Sequence, residues 1–312
     1  MKERNLYIDV AKGIGIILIV IGHMIGKDRI LHAFIYSFHV PLFFFLSGLF
    51  INCDCDIKVF IKKTFKNILL PFINFSLIIS FIHYLFGKED TFRNLLCQSP
   101  GALWFLFVLF LAHCLWYFSY NISKGKKQEY INIIILGIVG YCLFHYNISL
   151  FHSISSIFTA TFYLGIGYIL RGPILNEKLI IRNDNKKNTG IISIMLFLLL
   201  LILTIIYNPH TDLSNNHLNI IGYIYSFIGI IATLLLSHTI KGKAMIILSN
   251  IGQKSLIIMA VHMQFIFLST IIIKPFIEFY LLYKILEFNF VWIFTLLTAH
   301  IVFKRFRWII GK

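Results

Sequence analysis

Charge is what this chain has least of. Only 13% of its 312 residues are Asp, Glu, Lys or Arg, while 58% are hydrophobic and the mean hydropathy is +0.83. A soluble globule with so few polar groups could not cover its own surface, so that class is excluded. Acidic residues are scarcer still, 13 against 28 basic ones, for a net charge of +15. In a soluble protein that imbalance would point to nucleic acid. In a chain this apolar it points to basic cytoplasmic loops, and no nucleic-acid partner is expected. Cysteine is sparse and odd in number, at Cys53, Cys55, Cys97, Cys114 and Cys142, which argues against a disulfide framework. The Cys-x-Cys of NCDCD (residues 52–56) has no second ligand pair near it, so no metal site is assigned. No cleavable leader is expected either. Lys2 and Arg4 precede an apolar run, but Asp9 and Lys12 interrupt its start and no small-x-small site follows, which implies an uncleaved first span.

What is present is a series of long apolar runs. Crossing about 30 Å of hydrocarbon takes roughly 20 residues. Ten runs qualify: 7–26, 31–51, 67–87, 102–121, 130–149, 152–170, 190–207, 218–238, 252–273 and 288–304. The expected fold class is all-α, a polytopic integral membrane protein with about ten transmembrane helices. A tight polar turn at 149–153 separates the fifth and sixth spans, and residues 244–251 form a short lead-in to the ninth. With the N-terminus in the cytoplasm, the inside segments hold 20 Lys and Arg and the outside segments 6. Every inside loop is positive, so both termini are expected in the cytoplasm, with the chain multi-pass in the inner (plasma) membrane. No repeat and no stretch long enough for a soluble domain interrupts the pattern, which implies one membrane domain over 1–312.

The chemistry concentrates in residues 9–48. Ionisable groups are costly in lipid, and each is a functional-site hypothesis by default. Lys12 and His23 are eleven residues apart, which at about 100° per residue returns to nearly one face roughly 16 Å further along the helix. Gly13, Gly15 and Gly22 remove bulk from the same helix and permit close approach of a neighbour or a ligand. Asp9, three residues before Lys12, can pair with it, and alone this pair reads as a snorkelling interfacial one. His23 coincides with His39, which enters the membrane at similar depth on the next span. A neutral imidazole can act as a general base near pH 7, whereas Lys or Asp in lipid needs a large pKa shift to do so.

These residues carry a resemblance. K-x10-H in the first span, followed by SFHVPLFFFLSG at 37–48, resembles membrane acyltransferase family 3, in particular its fucose 4-O-acetylase-like branch. Shorter echoes are LWFL at 103–106, Lys63 and Lys66 ahead of Pro71, and GQKSLIIMAVH at 252–262. The resemblance implies ten core helices and an O-acetyltransferase that moves an acyl group, usually acetyl from acetyl-CoA, to a hydroxyl of a cell-envelope carbohydrate or lipid-linked glycan. It implies that Lys12 fills the family's basic position and His23 its essential histidine. Lys63 and Lys66 stand where the family often has arginine, keeping the charge without the bidentate fork. Lys12, Lys63 and Lys66 are thus the expected acyl-CoA contacts, with no resident cofactor. His23 is the expected base or acyl acceptor with His39 beside it. Ser47, Trp104 or His39 are candidate oxyanion donors.

Other positions have competing readings. His262 falls mid-span in the ninth run, with Lys254 at that span's edge, and is a candidate for the site. Trp104 reads as an interfacial anchor or as a sugar-stacking face. Ser47 and Gly48 read first as close packing. His113 reads as an interhelical hydrogen bonder, and His145, His152, His210 and His217 as solvated. Pro41 is expected to bend the second helix beside His39. A polysaccharide or small-solute transporter is the alternative class, since midplane histidines also mark substrate paths. Against it stand the lack of paired broken helices and of an acidic residue deep in a span. A non-catalytic partner of a polysaccharide synthase is a third reading, in which His23 is dispensable.

Overall fold

The computed structural model describes residues 5–25, 30–86, 101–146, 148, 153–176, 186–207, 213 and 219–312. Every regular element among them is helical: α1 Leu6–Met24, α2 Ile30–Tyr36, α3 His39–Gly48, α4 Ile57–Thr64, a π-turn Phe65–Leu69, α5 Leu70–Leu85, α6 Trp104–Ile122, α7 Lys126–His145, α8 Ser156–Leu175, α9 Lys186–Tyr207, α10 Ile220–Thr239, α11 Gly242–Gln253, α12 Ser255–Ile272 and α13 Tyr280–Arg305. Among the described residues ten helices are long and apolar enough to cross a membrane, matching the ten expected runs. The protein is a polytopic, all-α integral membrane protein. Several loop positions used in the sequence reading lie outside the described residues, among them Lys2, Arg4, Lys27, Arg29, Lys88, Arg93, Cys97, His152, Lys178, Arg182, His210 and His217.

Lipid offers no hydrophobic drive to bring helices together, so small residues that admit close backbone approach hold the bundle. Two crossings are built this way, each from both sides. A Cβ on Gly48 of α3 would sit 2.0 Å from the Leu164 carbonyl oxygen of α8, and one on Gly167 of α8 would sit 2.1 Å from the Phe45 oxygen of α3. Likewise a Cβ on Gly13 of α1 would lie 2.2 Å from Leu248 O of α11, and one on Gly252 would lie 1.8 Å from Asp9 O. The helices that carry Lys12 and His23 (α1) and His39 and Ser47 (α3) are therefore each locked to a second helix. Their own faces meet each other as well.

Four details differ from the sequence reading. First, the second span is two helices, and the break falls at Ser37 and Phe38 rather than at Pro41. Phe38 has φ −142°, ψ −16°. Pro41 is nonetheless the cause: it has no N–H for the carbonyl four residues back, Ser37 O. That oxygen accepts instead from Ser226 Oγ of α10 at 2.6 Å. Second, the third span starts at Ile57, not 67. Asp56 caps α4 by accepting from Lys58 N at 2.8 Å, and the π-turn carries the helix on to α5. Third, the lead-in to the ninth span is a helix of its own, α11, whose main partner is α1. Gly252 belongs to it rather than to the span. Fourth, the last span begins at Tyr280, eight residues early, so Glu287 is inside it and 2% exposed. The expectation that no acidic residue lies deep in a span is corrected accordingly.

The crossing of α3 and α8 gives a direct test. Gly167→Ala is expected to force those helices apart and destabilise the bundle by about 1–3 kcal/mol, as overpacking does. Gly172→Ala on the same helix, where a Cβ meets nothing within 4 Å, is expected to leave the melting temperature in detergent unchanged. Thermal unfolding of the two purified variants decides it.

Candidate active site

One cavity of about 550 Å³ runs between α1, α3, α4, α6 and α12. Seven of the nine sequence-predicted site residues line it: Asp9, Lys12, His23, His39, Ser47, Lys63 and Trp104. The cations gather where α1 begins. Lys12 Nζ is 4.0 Å from Asp9 Oδ1 and 4.9 Å from the centre of the Phe50 ring. Lys63 and Lys312 join the same wall. The histidines His23 and His39 lie where α1 ends and α3 begins. Between the two ends the lining is mainly apolar, with Ile16, Ile19, Phe43, Leu106, Leu109 and Met259, and the Ser47–His113 pair is its polar interruption.

The imidazoles are held by specific partners. His39 is 2% exposed, and its Nδ1 lies 2.8 Å from Ile35 O. A carbonyl only accepts, so Nδ1 carries the proton and Nε2 of the neutral ring is unprotonated. His262 is arranged the same way on α12, with Nδ1 at 3.0 Å from Ile258 O. His23 Nδ1 is 2.9 Å from the hydroxyl of Tyr36. The Tyr36 ring in turn lies edge-on to His39, centroids 4.6 Å apart, and stacks on His32 at 3.8 Å. The His262 ring faces His23 at 5.2 Å. His262 does not line the cavity, and sits fully buried behind His23.

Tyr36 is the site residue that sequence reasoning passed over. Its reach to His23 depends on Gly22, where a Cβ would stand 3.1 Å from Tyr36 Cε2. The available signal was Gly22 beside His23 together with an aromatic residue three positions before His39. His113 forms an interhelical bond as expected, with its Nε2 2.8 Å from Ser47 Oγ. It also lines the cavity. Lys66 does not. The π-turn opens immediately after Thr64, and each residue in that wider turn rotates by less than the α-helical 100°. Lys66 therefore falls away from the face that Lys63 presents, and its backbone oxygen packs on Gly311 instead, where a Cβ would lie 1.8 Å away.

The loop at 51–56 gives Ile51, Asn52 and Cys55 to the cationic end. It is held from α8 and α6. Arg171 donates to Ile51 O at 3.2 Å and lies 3.8 Å from Asp54, Tyr120 donates to Asp54 at 2.5 Å, and Tyr117 donates to Cys55 O at 2.8 Å. Burial pushes the Cys53 thiol up to about 12, so it stays protonated and is a poor metal ligand. Among the described residues no three His, Cys, Asp or Glu side chains converge on a possible metal position.

The geometry therefore joins a basic mouth to a histidine cluster through an apolar passage. No curated protein and no solved structure matches the chain. The sequence profile of the acyltransferase domain family matches residues 5–303, nearly the whole chain. The protein belongs to the membrane acyltransferase domain family.

Proposed function

We propose that this acyltransferase moves an acetyl or similar acyl group from acyl-CoA to a hydroxyl of a cell-surface carbohydrate or its lipid-linked precursor. In this reading it is an O-acetyltransferase of the fucose O-acetylase-like branch, working as one domain in the inner (plasma) membrane. The observation that carries the proposal is the single cavity joining Lys12 and Lys63 to His23 and His39. With both termini in the cytoplasm, the basic end faces the compartment that holds acetyl-CoA. Lysines there meet the donor's phosphates as point charges. The apolar passage takes its long, uncharged arm, and the thioester arrives beside the imidazoles.

At that point His23 removes the acceptor hydroxyl's proton through Nε2. This requires Nδ1–H to donate to the Tyr36 oxygen, and the 2.9 Å contact permits that setting. The alkoxide oxygen bonds to the thioester carbonyl carbon, and the negative charge moves to the carbonyl oxygen. Ser47 lies toward the basic end, eight residues and roughly 12 Å of helical rise from His39 and three residues before Phe50, whose ring meets Lys12; bonded to His113, it lines the passage that the donor's arm takes. Collapse of the tetrahedral intermediate breaks the C–S bond, and the leaving thiolate takes the proton back from His23. The products are the ester and free CoA. His39, proton on Nδ1, cannot donate from Nε2 while neutral. Its place is as an acceptor that orients the incoming hydroxyl. Trp104, half-buried on the same wall, is the face on which a sugar ring would stack.

Purified protein in liposomes, given radiolabelled acetyl-CoA and candidate glycans including a fucosylated oligosaccharide, is expected to place label in the glycan. Movement of glycan without label would instead establish a transporter. His23→Ala is expected to cut transfer by at least about 100-fold at unchanged membrane abundance, the usual worth of a general base. Retained transfer removes its assigned role and favours the synthase-partner reading. Tyr36→Phe keeps the ring and loses the hydroxyl, so kcat is expected to fall roughly 10-fold with KM for acetyl-CoA unchanged. For the donor end, Lys63→Ala is expected to raise KM for acetyl-CoA several-fold, whereas Lys66→Ala leaves it within twofold. Equal effects of the two lysines would contradict the cavity assignment.

A further inference from the structure

Outside the cavity, α13 carries a charge pair, a buried Glu287 with a half-buried Lys284, that the reaction above does not use. Glu287 is 2% exposed. Its Oε2 accepts from Lys284 Nζ at 2.7 Å, and its Oε1 accepts from the Tyr283 hydroxyl at 3.0 Å. The Ser269 hydroxyl of α12, which donates to Ile266 O at 2.7 Å, approaches Oε1 at 3.4 Å. Lys284 Nζ makes one more bond, to Met24 O at 3.1 Å. Met24 is the last residue of α1, so this carbonyl is one that a helix end leaves without an intrahelical partner. A cation there also complements the negative end of the helix dipole.

The pair thus ties together three helices at chosen places. On α1 it holds the residue next to His23. On α12 it reaches Ser269, which is seven residues beyond His262 and so two turns further on nearly the same face. These are the two helices whose rings meet at 5.2 Å. We propose that Lys284 and Glu287 form a clamp that sets the position of His23 against His262 and Tyr36. Both are positioning residues, acting through the end of α1 and touching no substrate. The inference rests on the reading of His23 as the reacting base. Glu287 aims Lys284 at Met24 O, through an ion pair of 2.7 Å on the same face of α13.

The test uses the full chain in lipid nanodiscs. Lys284→Met/Glu287→Leu removes both charges together and leaves no buried carboxylate without its cation, so it is expected to accumulate like the wild type. Its kcat for transfer from acetyl-CoA to a fucosylated oligosaccharide is expected to fall at least 10-fold, with KM for acetyl-CoA within twofold. Lys284→Arg, which keeps a donor for Met24 O, is expected to retain most of kcat. Spin labels placed through Ile25→Cys and Leu281→Cys in a cysteine-free background are expected to give one narrow distance, broadened in the double variant. Full kcat with an unchanged distance distribution overturns the clamp, as does a double variant that no longer accumulates. Failure of the wild type to use acetyl-CoA would bring down the donor reading instead, and the distance distribution then decides the clamp alone.

Discussion

Close backbone approach at four glycines is the constraint on which the rest of the structure depends. Water drives soluble cores together, but in lipid the tails are as apolar as the side chains, and contact must be won through fit. Gly48 with Gly167, and Gly13 with Gly252, each let one helix touch the backbone of another from both sides. Because the first pair fixes α3 and the second fixes α1, the crossings also fix where polar groups come to rest. Lys12 lies one residue from Gly13, and Ser47 one residue from Gly48. The small residues and the chemical residues are interleaved, so packing and site geometry cannot be separated.

Within that frame, polar groups lost to one helix are taken up by another. Pro41 frees the Ser37 oxygen, and Ser226 takes it. The end of α1 leaves Met24 O open, and Lys284 takes it. In a medium without water an unmet carbonyl costs several kcal/mol, so each such bond stabilises the irregularity that created it. The irregularities are where the site is. The break at Ser37 and Phe38 places Tyr36 and His39 on separate helices, Tyr36 against both His23 and His39, and the π-turn carries Lys66 off the face on which α4 presents Lys63.

Much of this was legible in the sequence, and what was not has identifiable causes. The ten spans could be read because length in apolar residues is the only requirement for crossing. The Lys12 and His23 stripe could be read because both residues sit on one unbroken helix, where spacing alone decides the face. Lys66 was misplaced because a π-turn changes the angular step and leaves no mark in composition. Glu287 was missed because the last span was started at Phe288, one position too late to include it. Tyr36 and the cavity-facing side of His113 depend on how helices cross, which no local pattern states. That Asp56 caps α4 could have been seen in the NCDCD stretch, had its last residue been weighed as a helix start rather than as part of a ligand cluster.

One straight helix carries both Lys12 and His23, and a rod has one length where a loop has many. The interval between them, roughly 16 Å by helical rise, is therefore a gauge. A molecule that engages both ends must match it, whatever its functional groups, so selection by reach comes before selection by chemistry. Inserting or deleting a single residue between the two would both change the interval and turn one end off the shared face. Drift in this segment is thus limited to substitutions that preserve the count.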